Sequence, residues 1–420
     1  MSTVTPGPFA AAVAAAHRRG EVVVQPRMGF GDPAVMRYGL ATVARSRACT
    51  VGTITLDSYT RVGAHEAARR ALVDGAPLNG FPIVAHGTGI TREVLAEARA
   101  GGMPVQVRHG SARPEDIFAA LLANGVDATE GGPVSYCLPY SRVPLREAVD
   151  SWKRCCAAYA GLREAGVEPH LESFGGCLLG QLCPPGLLVA VTLLEGMFFA
   201  QHGLRSVSLS YAQQVDHDQD VEALAALHRL IGEWLPGLDT HIVLYTYMGV
   251  YPRTRAGALE LLGASARLAK HGGACRLLVK TPAEAHRIPT IAENVTALEY
   301  ASRVAAAEGP ADGPPGDTGV YAEARALIEA VLELDDDIGT ALCRAFAKGY
   351  LDVPYCLHAD NRGESRGFID ERGRLAWSAP GRMPVRAARG GVELTSSGLL
   401  LALSHVQRGF DRMGAGDRPE

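Results

Sequence analysis

Short apolar runs alternate with longer segments of helical periodicity over the first 300 residues of the chain. Nine runs have the length and the apolar content of buried strands, and they lie at 21–25, 51–57, 81–85, 104–108, 126–130, 169–173, 206–211, 241–247 and 275–280. Helical patterns separate most of them, at 33–46, 63–73, 91–100, 114–124, 144–165, 186–202, 220–234 and 254–270. Strands separated by helices predict a parallel sheet, and runs that are apolar throughout predict a sheet covered on both faces. About eight such units form a (β/α)8 TIM barrel, so one of the nine candidates is expected to lie outside it.

The pattern changes after a last barrel helix at about 291–307. We assign residues 1–307 to the barrel, the breaker-rich stretch 308–319 to a surface linker, and residues 320–420 to a C-terminal appendage. The appendage is predicted to be α-rich and irregular, with a helix at 320–347, an irregular segment at 352–392 and a last helix at 396–410.

Composition narrows the class of protein. The 420 residues carry 45 acidic and 41 basic side chains, and 47% of them are apolar, which excludes a disordered chain. The mild acidic excess argues against nucleic-acid and membrane-surface partners. The best candidate for a membrane span, 187–194, stops at Glu195 and is too short to cross a membrane. These features predict a cytoplasmic protein, and the nine irregularly spaced cysteines are interpreted as small core residues.

A cluster of acidic residues before one predicted helix could suggest a metal site. Asp216, His217, Asp218 and Asp220 directly precede or begin the helical pattern at 220–234, where acidic residues favour the helix dipole. We therefore expect a helix start there and predict no metal site.

Polar side chains follow several of the predicted strands at their carboxyl ends, where barrel enzymes place their chemistry. These side chains are Arg27, Arg61, Arg108, His109, Glu130, Tyr136, Tyr140, Lys280 and Glu284. Guanidinium groups bind carboxylate or phosphate through paired hydrogen bonds, and Glu130 could receive an ammonium group. Two carboxylates and one amine describe an acidic amino acid. The alternative is that each arginine forms a separate surface or interstrand salt bridge.

Segments around these residues resemble a known family. QPRMG, TLDSYTR, LNGFPIVAHG, QVRHG, EGGPVSYCLPY, VKTPAEA and DVPY, spread from about residue 20 to about 390, resemble the large (E, or epsilon) subunit of glutamate mutase, also called methylaspartate mutase. The resemblance implies a TIM barrel that rearranges L-glutamate to (2S,3S)-3-methylaspartate by adenosylcobalamin-dependent radical chemistry.

The resemblance also implies roles for the strand-end residues. Arg27, Arg61 and Arg108 would hold the substrate carboxylates, and Glu130, His109, Tyr136 and Tyr140 would complete the substrate site. Lys280 and Glu284 would contact the adenosyl ribose of the cofactor. The chain departs from the family pattern in the loops 172–185, 211–220 and 245–252, where Tyr245 begins the segment that replaces an HQWMGGFP-like stretch. These loops put the fit of cobalamin in doubt more than the class of substrate.

An absent motif predicts a partner. Mutases of this class ligate cobalt through the histidine of a DxHxxG motif, but here Asp239 and His241 are followed by Leu244 where glycine is needed. His241 is therefore interpreted as a structural residue of a buried strand. We expect a small cobalamin-binding subunit with DxHxxG to bring the cofactor, and a homodimer of this chain within a heterotetramer. The alternatives are a related mutase of another amino diacid and a non-catalytic barrel scaffold.

Overall fold

Eight parallel strands form the centre of the molecule. The computed structural model describes residues 4–178, 182–309, 313, 316–388 and 395–413. The strands are β1 Val23–Gln25, β2 Gly52–Thr55, β3 Val105–Arg108, β4 Ala128–Gly131, β5 His170–Ser173, β6 Ser206–Ala212, β7 Asp239–Tyr245 and β8 Arg276–Leu278. Neighbours in sequence are neighbours in the sheet, β1 also pairs with β8, and a parallel bridge between Val24 and Thr50 joins the two edges. The predicted TIM barrel is confirmed.

The prediction of a strand at 81–85 is wrong. Phe81 makes a single bridge to Leu56, and the chain then turns into a helix that begins at Ile83. Phe81 and Ile83 are both buried, so the apolar run marks a loop and helix start that pack into the core rather than a strand. A short apolar run cannot by itself separate these cases.

Helices surround the barrel between its strands. They are α1 Pro8–Arg18, α2 Pro33–Ala44, α3 Ser58–Arg61, α4 His65–Val73, α5 Ile83–Ala100, α6 Glu115–Ala123, α7 Leu145–Ala160, α8 Pro185–Gln201, α9 His217–Trp234, α10 Arg255–His271 and α11 Ile291–Ala307. Short 3₁₀ helices lie at Gly161–Ala165, Gly175–Cys177 and Pro282–Ala285, and a two-residue strand pair joins Thr5–Pro6 to Val167–Glu168. Helix α5 bends at Gly87, whose φ of 73° interrupts the helical geometry.

Helix α1, which the sequence analysis did not predict, closes the amino-terminal end of the barrel. Its fully buried Phe9 packs with the strand residues Val23 and Ala128, and its ring lies 5.6 Å from that of His170. The C-terminal end of the barrel, where the strand-end side chains lie, is at the opposite side of the molecule.

The barrel interior holds polar side chains as well as apolar ones. Arg276 and Glu172 form an ion pair in which both side chains are completely buried. Gln106 donates to Glu172 at 3.1 Å, and the Arg276 guanidinium also contacts Gln25. Buried charges need such partners, and this network fixes β1, β3, β5 and β8 relative to one another.

The C-terminal part contains more elements than predicted. The predicted helix 320–347 is two helices, α12 Val320–Leu332 and α13 Ile338–Lys348, and the last predicted helix is also two, α14 Ser396–Leu403 and α15 His405–Met413. The irregular segment contains an antiparallel hairpin of β9 Arg366–Ile369 and β10 Leu375–Ala379. Five residues of the predicted linker 308–319 lie outside the described residues, and the domain boundaries stay predictions. Within the described residues, no helix combines the length and the apolar character that a membrane span requires.

Candidate active site

The strand-end side chains lie at the carboxyl end of the barrel. Arg108 is the last residue of β3, Glu130 is in the adjacent β4, and Lys280 follows β8 by two residues. Arg27 follows β1 by two residues, while Arg61 ends the short helix α3 after β2. The structure therefore brings all five to one end of a single barrel.

Arg108 and Glu130 form a buried ion pair. The Arg108 Nε atom lies 2.7 Å from Glu130 Oε2, and the side chains are only 7% and 1% exposed. Burial alone would lower the pKa of Arg108, but the charge of Glu130 and the nearby Tyr245 raise it well above its usual value. The guanidinium is thus permanently charged, and the Glu130 contact uses one of its five N–H donors.

Tyr245, the last residue of β7, joins this pair to the barrel interior. Its hydroxyl lies 2.7 Å from Glu130 Oε2 and 3.3 Å from Arg108 Nη2, and it also contacts Glu172. Tyr245 was not among the predicted site residues. The sequence feature that could have indicated it is its place at the end of a predicted strand, where the segment 245–252 begins to depart from the family pattern.

Tyr136 and Tyr140 follow Glu130 in the same βα loop. The buried Tyr136 donates its hydroxyl hydrogen to Glu130 Oε1, whereas Tyr140 is 46% exposed and lies at the rim, with its ring 6.1 Å from that of Tyr136. Gly131 between β4 and this loop has a φ of 134°, and a Cβ there would lie 2.5 Å from the Trp152 ring. The Glu-Gly-Gly sequence is therefore required by the close approach of these side chains.

Arg61 differs from Arg27 and Arg108 because, among the described residues, no carboxylate forms an ion pair with it. Its Nε donates to the carbonyl oxygen of Leu56 at 2.9 Å, but among the described residues it has no carboxylate partner. Burial lowers the pKa of Arg61, and the positive charges of Arg108 and Arg27 lower it further. An uncompensated guanidinium next to two others favours the binding of an anion at this position.

His109 lies beside the arginines as an uncharged imidazole. Burial and the charges of Arg61 and Arg108 lower its pKa to about 3. Its Nδ1 accepts a hydrogen bond from the Ser111 backbone N–H at 3.1 Å, so Nε2 carries the hydrogen. Within the described residues, Nε2 is buried without a hydrogen-bond partner.

A second charged cluster lies on the β8 side of the barrel mouth. Glu284 Oε1 is 2.7 Å from Arg27 Nη1 and 3.1 Å from Lys280 Nζ. Burial would raise the pKa of Glu284, but the charges of Arg27 and Lys280 lower it to about 2. Burial lowers the pKa of Lys280 to about 8, with Glu284 opposing this and Arg27 adding to it. This acceptor and these donors have the chemistry needed to bind two neighbouring hydroxyl groups.

A cavity of about 1070 Å³ opens beside the strand-end residues. Only Arg61 and Tyr140 of the predicted site line it, and its other walls come from the loops at 110–116 and 138–143 and from residues 355–358.

Asp216 and Asp220, weighed above as metal ligands, and His241, weighed as a cobalt ligand, make contacts that stabilise the fold. Asp216 caps α9 by accepting from the Gln219 N–H at 2.8 Å, as expected for a helix start. Asp220 is buried and accepts from the Tyr211 hydroxyl at 2.7 Å. His241 is partly buried in β7, with its ring stacked 4.8 Å from that of His170. In the described part of the chain, no three His, Cys, Asp or Glu side chains are grouped as metal ligands would be.

Comparison with known proteins identifies the family of the chain. The family model described as "Methylaspartate mutase E chain (MutE)" matches residues 6–392. The chain belongs to this family. The resemblance predicted from the motif segments is thereby confirmed.

Three relatives share the name glutamate mutase epsilon subunit. The glutamate mutase epsilon subunit of Halobacterium salinarum is 36% identical over 340 residues, which cover 76% of this chain and 69% of the relative. That of Haloarcula marismortui is 34% identical over 340 residues, covering 76% and 68%. That of Yersinia enterocolitica is 29% identical over 395 residues, covering 90% of this chain and 81% of the relative.

Proposed function

We propose that this chain is the catalytic subunit of a glutamate mutase that converts L-glutamate to (2S,3S)-3-methylaspartate. The observation that carries the proposal is the set of three arginines and one glutamate at a single barrel mouth. Arg61 lacks an acidic partner among the described residues, and Arg108 has donors beyond those that its protein contacts use. A substrate with two carboxylates and one ammonium group matches these charges.

The residues of this chain would act mainly by positioning. The arginines hold the two carboxylates, so that both parts of a substrate that fragments remain in place and recombine as if within one molecule. Glu130 faces the ammonium group and can accept its proton, while Tyr136 and Arg108 fix the direction of the carboxylate. The buried setting keeps water away from reactive species.

The cofactor implied by the family is adenosylcobalamin, which supplies homolytic radical chemistry when bound. The test of fit is the Lys280–Glu284 pair. Glu284 makes both of its contacts through Oε1, and no described residue contacts Oε2, so this oxygen is available to a ribose hydroxyl. Lys280 and Glu284 would therefore hold the ribose by donating to one hydroxyl and accepting from its neighbour.

Cobalt ligation would come from another chain. His241 is the third residue of β7, four residues before the strand-end Tyr245, and its imidazole faces His170 and Arg276 on the side away from the barrel mouth. The relatives are named epsilon subunits, which supports a multisubunit enzyme. We propose a small cobalamin-binding subunit with a DxHxxG motif, and a homodimer of this chain within a heterotetramer.

Reconstitution tests the proposal. The purified chain with adenosylcobalamin and L-glutamate should form no methylaspartate, and addition of a small cobalamin-binding subunit should start turnover. The matched control is the same mixture with Arg61→Ala, which should reach turnover only at a much higher concentration of L-glutamate. Full turnover by the isolated chain would contradict the two-subunit scheme, and turnover only with another amino diacid would change the assigned substrate.

A further inference from the structure

Glu195 is a buried carboxyl group that the proposed reaction does not use. It lies in the otherwise strongly apolar helix α8, on the outside of the barrel, and is 0% exposed. Burying a carboxyl group without a counter-charge is costly, and a leucine would continue the apolar pattern of this helix at lower cost. The position therefore calls for a functional or structural reason.

The carboxyl group of Glu195 accepts four hydrogen bonds. Its Oε1 accepts from the backbone N–H groups of Val134 at 3.0 Å and Ser135 at 2.8 Å. Its Oε2 accepts from the hydroxyl groups of Ser135 at 2.9 Å and Ser173 at 2.8 Å. Glu195 thus ties the loop after β4 to the end of β5.

The loop held by Glu195 carries a site tyrosine. Tyr136 follows the bonded residues directly, its N–H donates to the Gly132 carbonyl at 3.1 Å, and its hydroxyl contacts Glu130. Gly132 lies so close to the carboxyl group that a Cβ would be 2.1 Å from Glu195. Only glycine at position 132 therefore lets the loop approach the carboxyl group this closely.

The protonation of Glu195 is consistent with a positioning role. Burial raises its pKa to about 7, although the hydrogen bonds from Ser135, Ser173 and Val134 oppose this. Either protonation state can keep both backbone contacts at Oε1, because the serine hydroxyls can reverse from donor to acceptor. The carboxyl group is suited to hold a loop and has no path to a substrate.

We propose that Glu195 is a positioning residue that holds Tyr136 against Glu130 and thereby sets the part of the site that receives the substrate ammonium group. The inference rests on the proposed function for its kinetic consequences. The contacts themselves can be tested without it.

The first test compares three variants in the reconstituted complex. Glu195→Ala should lower kcat by about 100-fold, since a displacement of about 1 Å at a catalytic group has effects of this size. Glu195→Gln should stay within about threefold, because its amide oxygen still accepts from both N–H groups. Ser135→Ala removes one donor only and should lower kcat by about fivefold, which keeps the test usable if Glu195→Ala does not fold.

A matched control separates positioning from general stability. Glu323 in α12 is a partly buried carboxyl whose pKa desolvation raises to about 7. It accepts from the Trp377 indole N–H at 3.0 Å, away from the strand-end residues. Glu323→Ala should lower Tm as Glu195→Ala does but leave kcat unchanged. Equal kinetic losses in both variants would overturn the inference.

A double-mutant cycle tests the route of the effect. If Glu195 acts through Tyr136, the double variant Glu195→Ala/Tyr136→Phe should be no slower than Tyr136→Phe alone. Losses that multiply would show that Glu195 acts through another group and would overturn the proposal.

A crystal structure of Glu195→Ala provides a readout independent of activity. The inference expects Tyr136 to move away from Glu130, with the loop at 132–136 shifted. An unchanged Tyr136–Glu130 contact would refute it, whatever the kinetics. An inactive parent complex would instead contradict the proposed function and leave this structural comparison valid.

Discussion

Replacing Arg108 by lysine tests the substrate site most directly. Arg108 is 6% exposed, donates from Nε to Glu130 at 2.7 Å and from Nη2 to Tyr245 at 3.3 Å, and keeps other N–H donors free. Lysine preserves the charge but concentrates its donors on one atom. It cannot hold Glu130 and also bind a carboxylate with two parallel hydrogen bonds.

The size of the effect follows from the burial of the pair. Weakening one partner of a desolvated charge pair costs on the order of 2–5 kcal/mol. At about 1.4 kcal/mol per factor of ten, this is a loss of roughly 30- to 5,000-fold in kcat/KM for glutamate. A surface arginine would change the free energy by less than about 1 kcal/mol, or about fivefold. The two cases do not overlap.

The assay is the steady-state formation of methylaspartate by the reconstituted complex, with circular dichroism to verify the fold of Arg108→Lys. A surface substitution such as Arg45→Lys is the matched control, since Arg45 forms only an exposed contact at 3.7 Å with Glu97. Looser binding of the substrate should also increase cofactor inactivation per turnover. Kinetics within twofold of the parent would remove Arg108 from the site and refute the carboxylate-binding role.

Three further results are expected. Because the pKa of Lys280 is lowered to about 8, KM for adenosylcobalamin should rise as the pH passes that value, and Lys280→Arg should abolish the rise. The same dependence of KM on pH in both proteins would contradict the ribose contact. Glu172→Gln leaves the Arg276 charge buried without a counter-charge and should lower the free energy of unfolding by about 3–5 kcal/mol in urea titrations; a change below about 1 kcal/mol would refute the importance of that pair. Burial raises the pKa of Asp220 to about 8, so the folded chain retains a proton that the unfolded chain has lost, and stability falls as the pH rises toward that value. Asp220→Asn should flatten the dependence of Tm on pH between 5 and 9. Equal slopes in the two proteins would show that Asp220 does not titrate this way.

The barrel was predictable because short β-rich runs alternate with longer helical patterns, and this alternation located all eight strands. The strands are less apolar than a sheet covered on both faces suggests, because Gln106, Glu172 and Arg276 pair with one another inside the barrel. The ninth candidate at 81–85 has the same composition because its residues also enter the core, so only the three-dimensional contacts distinguish it. The break between α12 and α13 follows the sequence Leu334–Asp337, where three consecutive aspartates interrupt a helical pattern that otherwise continues.

The candidate site was predictable where a polar side chain ends an apolar strand. Arg108 and Glu130 are of this kind, and the resemblance assigned them the same region. Tyr245 and Glu195 were not predicted, since a tyrosine at a strand end and a single acid in an apolar helix fit many environments. Their importance comes from contacts with residues far away in the sequence: Tyr245 donates to Glu130 across 115 positions, and Glu195 accepts from the Val134 N–H across 61.

The charges at the barrel mouth explain why the arginines need not be equivalent. Arg108 and Arg27 already face carboxylates in the protein, those of Glu130 and Glu284, whereas Arg61 has no such partner among the described residues. A substrate carboxylate that binds Arg61 gains a new counter-charge, while one that binds Arg108 shares a guanidinium whose orientation Glu130 has already fixed. Arg61 should therefore contribute mainly to affinity and Arg108 mainly to orientation. Since orientation acts on the reacting atoms, substitutions at Arg108 should lower kcat, and substitutions at Arg61 should raise KM.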